Sequence, residues 1–417
     1  MQAATRRRAV SARSVASALR LAAWPGLVWL VALVGIVNVA VLFGQASALV
    51  HSLYTSSDNA SALVLAALAG HAAAGSTVNI GNHPWYEMWW LMRATAGLPG
   101  YRELWEAVPF VSGLLGTAGV AACAWWALGR LAGLVCAAVL VAASEALRGI
   151  VYVPESHGLI VLHLAALCGV LLFVQRRASG ERLTAPAVAL VGVPLVLFTG
   201  AGLTDQLLLV SGLGPLILAP LVCWWRLGPS PWRAVGAFAL ATGVLSGLLA
   251  LLLAHVMQDN GVVHSAFPID FVGSEALLTG VQNLLSTLAG LGGGAFFGAP
   301  ASGSHLLTFL AGALTLLALA ATIRMLWRWS TAPAKPIERR AMQTGSRELF
   351  VVFWGLVLVF VLAAFALTSV SATVGDGRYL VGACAALAAL LGVFCATPRA
   401  RRGARGGGAV RRAQHPL

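Results

Sequence analysis

Ten stretches of roughly 20 predominantly apolar residues follow one another along this chain. They lie at 21–50, 104–129, 131–148, 158–175, 185–201, 206–225, 234–256, 305–328, 349–370 and 379–397. A run of about 20 apolar residues is the length of helix that crosses the hydrocarbon core of a bilayer. Inside hydrocarbon every backbone N–H and C=O must be satisfied within the protein, which restricts such runs to helices. Only 10% of the 417 residues are charged and 59% are hydrophobic, whereas a soluble domain carries about 25% charged residues. The expected fold is an all-α polytopic membrane protein of about 10 transmembrane helices. Residues 21–397 form that domain, between a basic cytoplasmic tail at 1–20 and a Gly/Arg-rich, disordered cytoplasmic tail at 398–417. The apolar run at 21–50 is far longer than the core of a cleaved signal peptide, so it is expected to be a retained anchor.

Basic residues orient the spans, because Lys and Arg collect in cytoplasmic loops. With the N-terminus inside, 23 of the 27 Lys and Arg residues face the cytoplasm, and Arg93, Arg102, Arg148 and Arg378 lie outside. Both termini are then cytoplasmic. Eleven of the 14 acidic residues and seven of the nine histidines lie at or near the outer face. The orientation rule says little about Asp, Glu or His, so this gathering points to chemistry outside the cytoplasm. The net charge of +13 suits anionic lipid headgroups better than nucleic acid, since the arginines sit in short runs between spans. The six cysteines fall within apolar spans without CxxC or metal-ligand spacing, so they read as small packing residues.

Two outer loops are long, at 51–103 and 257–303. The second has no Lys or Arg, and Ser274 to Leu291 within it is expected to form an interfacial helix ending at the Gly292-Gly293-Gly294 joint. The first holds His51, Asp58, His71, His83, Glu87, Arg93 and Arg102 beside a nearly uncharged membrane domain. It divides into two expected interfacial helices. Asp58 or Ser57 caps one from about Asn59 to Ala74, and Trp85, Tyr86, Trp89 and Trp90 give the second, about Trp85 to Ala96, an aromatic belt. Singly, Asp58 reads as a helix cap, the tryptophans as anchors and the arginines as headgroup contacts. Their combination directly after the first span points to a site, because charge held near hydrocarbon is costly.

This arrangement, a first span, an acidic outer loop with two interfacial helices and then a bundle, resembles the GT-C glycosyltransferases. These polytopic enzymes take sugars from polyprenyl-phosphate carriers outside the cytoplasm. Thr204-Asp205-Gln206-Leu207-Leu208-Leu209 with Pro215 resembles an "SD-x-L-L…P" segment of some bacterial members. Gly377-Arg378-Tyr379-Leu380 resembles their "RYL" segment at the start of a late span. The likeness implies an integral membrane glycosyltransferase, an inverting hexosyl- or pentosyltransferase, that moves a sugar to a glycan, lipid or protein acceptor of the cell envelope.

Transfer from a lipid phosphate needs a carboxylate to take the acceptor proton and cations on the departing phosphate. The resemblance assigns the base to Asp58. Arg378 is the candidate phosphate clamp, and Tyr379, Asp205, His83, Glu87, Arg93 and Arg102 are candidate substrate contacts. Glu145 and Arg148, three apart on one helix face, are expected to pair. Many GT-C members open with a close acidic pair, whereas only Asp58 stands here, so a role for a divalent metal stays open; no metal ligands are assigned. A transporter or flippase for lipid-linked precursors and a non-catalytic envelope-assembly protein are the competing classes.

Overall fold

The computed structural model describes residues 40, 44, 78–79, 91, 93–141, 147, 151–152, 158–180, 184–203, 205–263, 270–294, 303–331, 341–372 and 377–396. The first apolar run, both tails, Glu145 and Arg148 fall outside the described residues, Ala40 and Gly44 excepted. Ten helices follow in chain order: α1 (Tyr101–Leu128), α2 (Arg130–Val141), α3 (Gly158–Gly180), α4 (Ala185–Gly202), α5 (Gln206–Leu227), α6 (Trp232–Asp259), α7 (Ser274–Leu291), α8 (Gly303–Thr331), α9 (Ala341–Leu367) and α10 (Val381–Ala396). Seven of them, α1, α3 to α6, α8 and α9, are long and apolar enough to cross a membrane, and α2 and α10 are shorter apolar helices. The chain is thus a helical, multi-pass membrane protein. Its only described strands are β1 (Val78–Asn79) and β2 (Val262–Val263), which pair in parallel with Val78 opposite Val262.

That short pair ties the long loop at 51–103 to the one at 257–303. The sequence places only a turn near Asn79, because two residues are too few to show alternation. The interfacial helix expected at Ser274 to Leu291 forms with those bounds, and Gly293 follows it at φ 88°.

Small residues set the packing. Lipid tails are as apolar as leucine, so helices in a membrane gain by close approach at small side chains. On α1, a Cβ at Gly116 would sit 2.9 Å from the Leu162 nitrogen, and one at Gly119 would sit 2.8 Å from the Ala165 Cβ. The Cys123 thiol donates to the Ala165 carbonyl at 3.5 Å, so α1 and α3 run side by side in the same direction. α2 folds back on α1 after Gly129, at φ 108°, and its Cys136 thiol donates to the Ala388 carbonyl of α10 at 3.2 Å. α3 and α9 form the centre, with Leu164, Leu167, Leu171, Phe350, Phe353 and Trp354 almost fully buried. α4, α6 and α8 are peripheral; Leu190, Leu251 and Leu314 project outward, as expected of surfaces that meet lipid.

These pairings define two ends of the bundle. At one, which we call the Arg226 end, arginines lie over aromatic rings. Arg226 is 3.9 Å from the Trp329 centroid, Arg176 4.6 Å from Trp126, Arg177 5.5 Å from Phe173, Arg233 5.7 Å from Trp224 and Arg130 5.8 Å from Trp125. A buried network supports them. The Ser346 hydroxyl donates to Gln175 at 2.7 Å, and Arg176 donates to the Trp126 carbonyl at 2.7 Å. The opposite end carries the turn at Asp205, the start of α7 and the turns before α10.

Candidate functional site at the Asp205 end

α4 ends where the Leu203 N–H donates to the Thr199 carbonyl at 2.8 Å, and the Asp205 N–H then turns back to Gly202 at 3.0 Å. Asp205 is extended and caps α5: its Oδ1 accepts from the Leu207 N–H at 2.8 Å. This is the ordinary work of an N-terminal aspartate. Its position is less ordinary, because the side chain has no solvent exposure at all. Burying an ionisable carboxylate is costly unless it is paired or hydrogen-bonded, which makes Asp205 a site candidate.

α5 is not a continuous α-helix. After one turn it passes through a π-helical segment, Leu209–Leu213, before resuming at Gly214. Pro215 lacks the N–H that would bond the Ser211 carbonyl, which loosens the ladder there, and the Ser211 hydroxyl donates to the Leu207 carbonyl at 2.6 Å. π segments within α-helices occur often at functional sites. The sequence reading takes this span as unbroken; the interruption is a correction to it.

Below Asp205, His163 of α3 is fully buried. Its ring stacks on Phe198 with centroids 3.8 Å apart and planes 3° from parallel. Nδ1 is 2.8 Å from the Leu159 carbonyl and Nε2 is 3.1 Å from the Phe198 carbonyl. Gly202 makes this possible, since any side chain there would run into the imidazole. The sequence marks His163 only as a lone histidine inside a span; its closeness to Asp205 comes from two helices far apart in the chain.

Beside Asp205 lies a pocket of 480 Å³, lined by Gln206, Leu209 and Val210 of α5, Phe360 and Ala364 of α9, and Tyr379. Its walls are apolar apart from the tips of Gln206, Thr368 and Tyr379. One side is closed by a strap at 270–272, from the loop before α7. The Val272 N–H donates to the Leu367 carbonyl at 2.9 Å, the Ser369 N–H to the Asp270 carbonyl at 2.8 Å, and the Asp270 N–H to the Ser369 hydroxyl at 3.2 Å. Phe271, 85% exposed, stands at the mouth. Tyr379 is buried in a short 3₁₀ turn, Gly377–Leu380, which also carries the backbone of Arg378.

The structure therefore brings Gln206 and Leu207, which follow Asp205, and Tyr379, which follows Arg378, to one pocket, although Asp205 itself does not line it. Arg93 is exposed on the helical turn before α1 and lines neither of the two pockets described in this chain. Arg102 lies in the first turn of α1, and the indole of Trp105 on the next turn donates to Thr95 at 2.9 Å. The side chains of Arg102 and Arg378 lie outside the described part, as do Asp58, His83 and Glu87 entirely. Among the described residues, no group of three His, Cys, Asp or Glu side chains is placed to hold a metal ion.

The fold and this pocket define a multi-pass membrane protein with an apolar site beside a buried carboxylate. No known protein family, curated protein or solved structure matches the chain.

Proposed function

We propose that the protein is an integral membrane glycosyltransferase of GT-C type. It moves a sugar from a polyprenyl-phosphate donor to an envelope acceptor on the extracytoplasmic face of the cell's inner (plasma) membrane. The observation that carries the reading is the convergence of two segments 170 residues apart, at Asp205 and at Gly377–Leu380, on one apolar pocket. An apolar cavity beside charged turns suits a substrate with an isoprenoid tail and a phosphosugar head. The reading includes ten spans, both termini in the cytoplasm and the Asp205 end outside.

In this mechanism the Asp58 carboxylate accepts the proton of the acceptor hydroxyl as its oxygen attacks the anomeric carbon. The bond from that carbon to the phosphate oxygen breaks, and the electron pair leaves with polyprenyl phosphate. Arg378 neutralises the departing phosphate, and the configuration at the anomeric carbon inverts. Asp205 orients the acceptor or the groups around it, and Tyr379 packs against the donor. His83, Glu87, Arg93 and Arg102 supply contacts to sugar and phosphate from the first outer loop.

The test compares lipid-linked sugars and envelope glycans in cells with and without the gene, and in cells carrying Asp58→Asn. Accumulation of a polyprenyl-phosphate sugar with loss of one glycan linkage in both strains is the expected result. Unchanged glycans and lipid-linked pools in the deletion strain count against the reading.

One observation favours a second reading. Interrupted spans and ionisable groups at membrane depth are features of transporters, and both the π segment of α5 and the buried Asp205 beside His163 are of that kind. Movement of an intact lipid-linked sugar across vesicles, with no new glycosidic bond, would select this reading over transfer.

A further inference from the structure

A second cavity lies at the Arg226 end, between α5, α8 and α9. It has a volume of 540 Å³, within the range of about 300–1,000 Å³ usual for small-molecule sites. Its walls include Ile323, Leu326 and Trp327 of α8 and Val351, Gly355 and Val359 of α9. α8 and α9 are bridged by side chains here. Leu326 reaches over Gly355, where a Cβ would sit 3.1 Å from its methyl, and the Trp329 indole donates to the Glu348 carboxylate. The groove opens sideways, toward the surrounding bilayer: Ile323, Val359 and Trp327 are 51%, 53% and 70% exposed.

Its length and its charge say what it holds. Along α9 the lining runs from Val351 to Leu362, which at 1.5 Å per residue is about 16 Å. That is half of the roughly 30 Å hydrocarbon core, the depth of one leaflet. The arginines sit at the end of the groove nearest the bundle's edge. The Arg226 guanidinium donates to the Ser330 carbonyl at 3.0 Å and lies over Trp329. Arg324 and Arg328 are exposed on α8 beside it, and Glu348 is the only acid at this end among the described residues. A slot one leaflet deep with net positive charge at headgroup height complements an acyl chain joined to an anionic head.

We infer that this groove binds one acyl chain of an anionic glycerophospholipid, drawn from the leaflet at the Arg226 end, with the lipid phosphate on Arg226. The lipid fills the gap between α8 and α9 and fastens the peripheral α8 to the centre of the bundle. Nothing in this inference depends on the reaction at the opposite end.

The test uses the full chain, delipidated in detergent and titrated by native mass spectrometry with phosphatidylglycerol or phosphatidylcholine of identical acyl chains. The wild type is expected to bind phosphatidylglycerol about five-fold more tightly, the effect of one arginine near an anionic head. Arg226→Gln removes that preference and leaves phosphatidylcholine binding unchanged. Val359→Trp, which fills the groove from its lipid side, weakens both lipids together. Equal affinity for the two lipids in the wild type overturns the inference. So does a preserved preference in Arg226→Gln, or undiminished binding in Val359→Trp. Displacement of phosphatidylglycerol by millimolar inorganic phosphate overturns it too, since it would reveal a plain anion site.

Discussion

The two ends of this bundle hold charge in opposite ways. At the Arg226 end, five arginines are spread over aromatic faces at 3.9 to 5.8 Å. Such contacts contribute about 0.5–1 kcal/mol each at exposed sites, and losing one leaves the others in place. At the Asp205 end one carboxylate among the described residues is wholly buried and held by its own helix, three residues after the glycine that packs on the buried His163. Distributed cations anchor a protein in its membrane and tolerate change. A wholly buried acid is less forgiving, because losing one of its partners leaves a buried charge uncompensated.

Substitutions at four positions test this division, from the largest effect to the smallest. Asp58→Asn is expected to lower sugar transfer by about 10²–10⁴-fold, the usual contribution of a general base, with donor binding retained in an equilibrium assay. A variant that transfers at the wild-type rate would strip Asp58 of the role of base. Gly202→Leu drives a side chain into the His163 imidazole and is expected to destabilise the fold by about 1–3 kcal/mol, the range for overpacking. Thermal unfolding in detergent would show it as a lowered midpoint.

Asp205→Ala removes the cap of α5, worth about 1 kcal/mol, together with the charge, whereas Asp205→Asn keeps a capping oxygen and loses only the charge. Turnover that falls equally in both variants assigns the charge a role in the site; turnover that survives in Asp205→Asn reduces Asp205 to a cap. Arg233→Gln gives up one stack on Trp224 and is expected to cost no more than about 1 kcal/mol in the same melting experiment, with transfer unchanged. A large loss of transfer in Arg233→Gln would break the division between the ends.

Much of the fold is legible in the residues because the bilayer imposes one length and one secondary structure. The expected spans at 158–175, 185–201 and 234–256 fall within α3, α4 and α6. The interfacial helix from Ser274 to Leu291 is equally plain, with Gly292 as its stop. The span expected at 131–148 is shorter in its described part, Arg130–Val141. The π segment leaves only faint marks, Gly212, Gly214 and Pro215, which hydropathy does not weigh.

The site is less legible for a different reason. Asp205, Tyr379 and His163 lie on separate elements, and the packing around them turns on glycines such as Gly202, against His163, and Gly382, against Leu164 and Ser211, whose meaning depends on which helix faces them. Hydrophobic pattern identifies helices; it does not say which are neighbours. Likewise, the joining of the two long loops through Val78–Asn79 and Val262–Val263 depends on backbone groups, which carry no residue signature.

The π segment of α5 also bears on how this protein can change over time. A π turn holds one residue more than the α turn it replaces, so Leu209–Leu213 is a single residue of slack between two halves of a span. Deleting one residue there would restore a plain helix without moving Gly214–Leu227 against its neighbours. Because a π turn and an α turn each complete about one revolution, Gln206 and Leu207 ahead of it would keep their place on the pocket wall. The span can thus gain or lose a codon at this one point while the site and the scaffold behind it keep their aim.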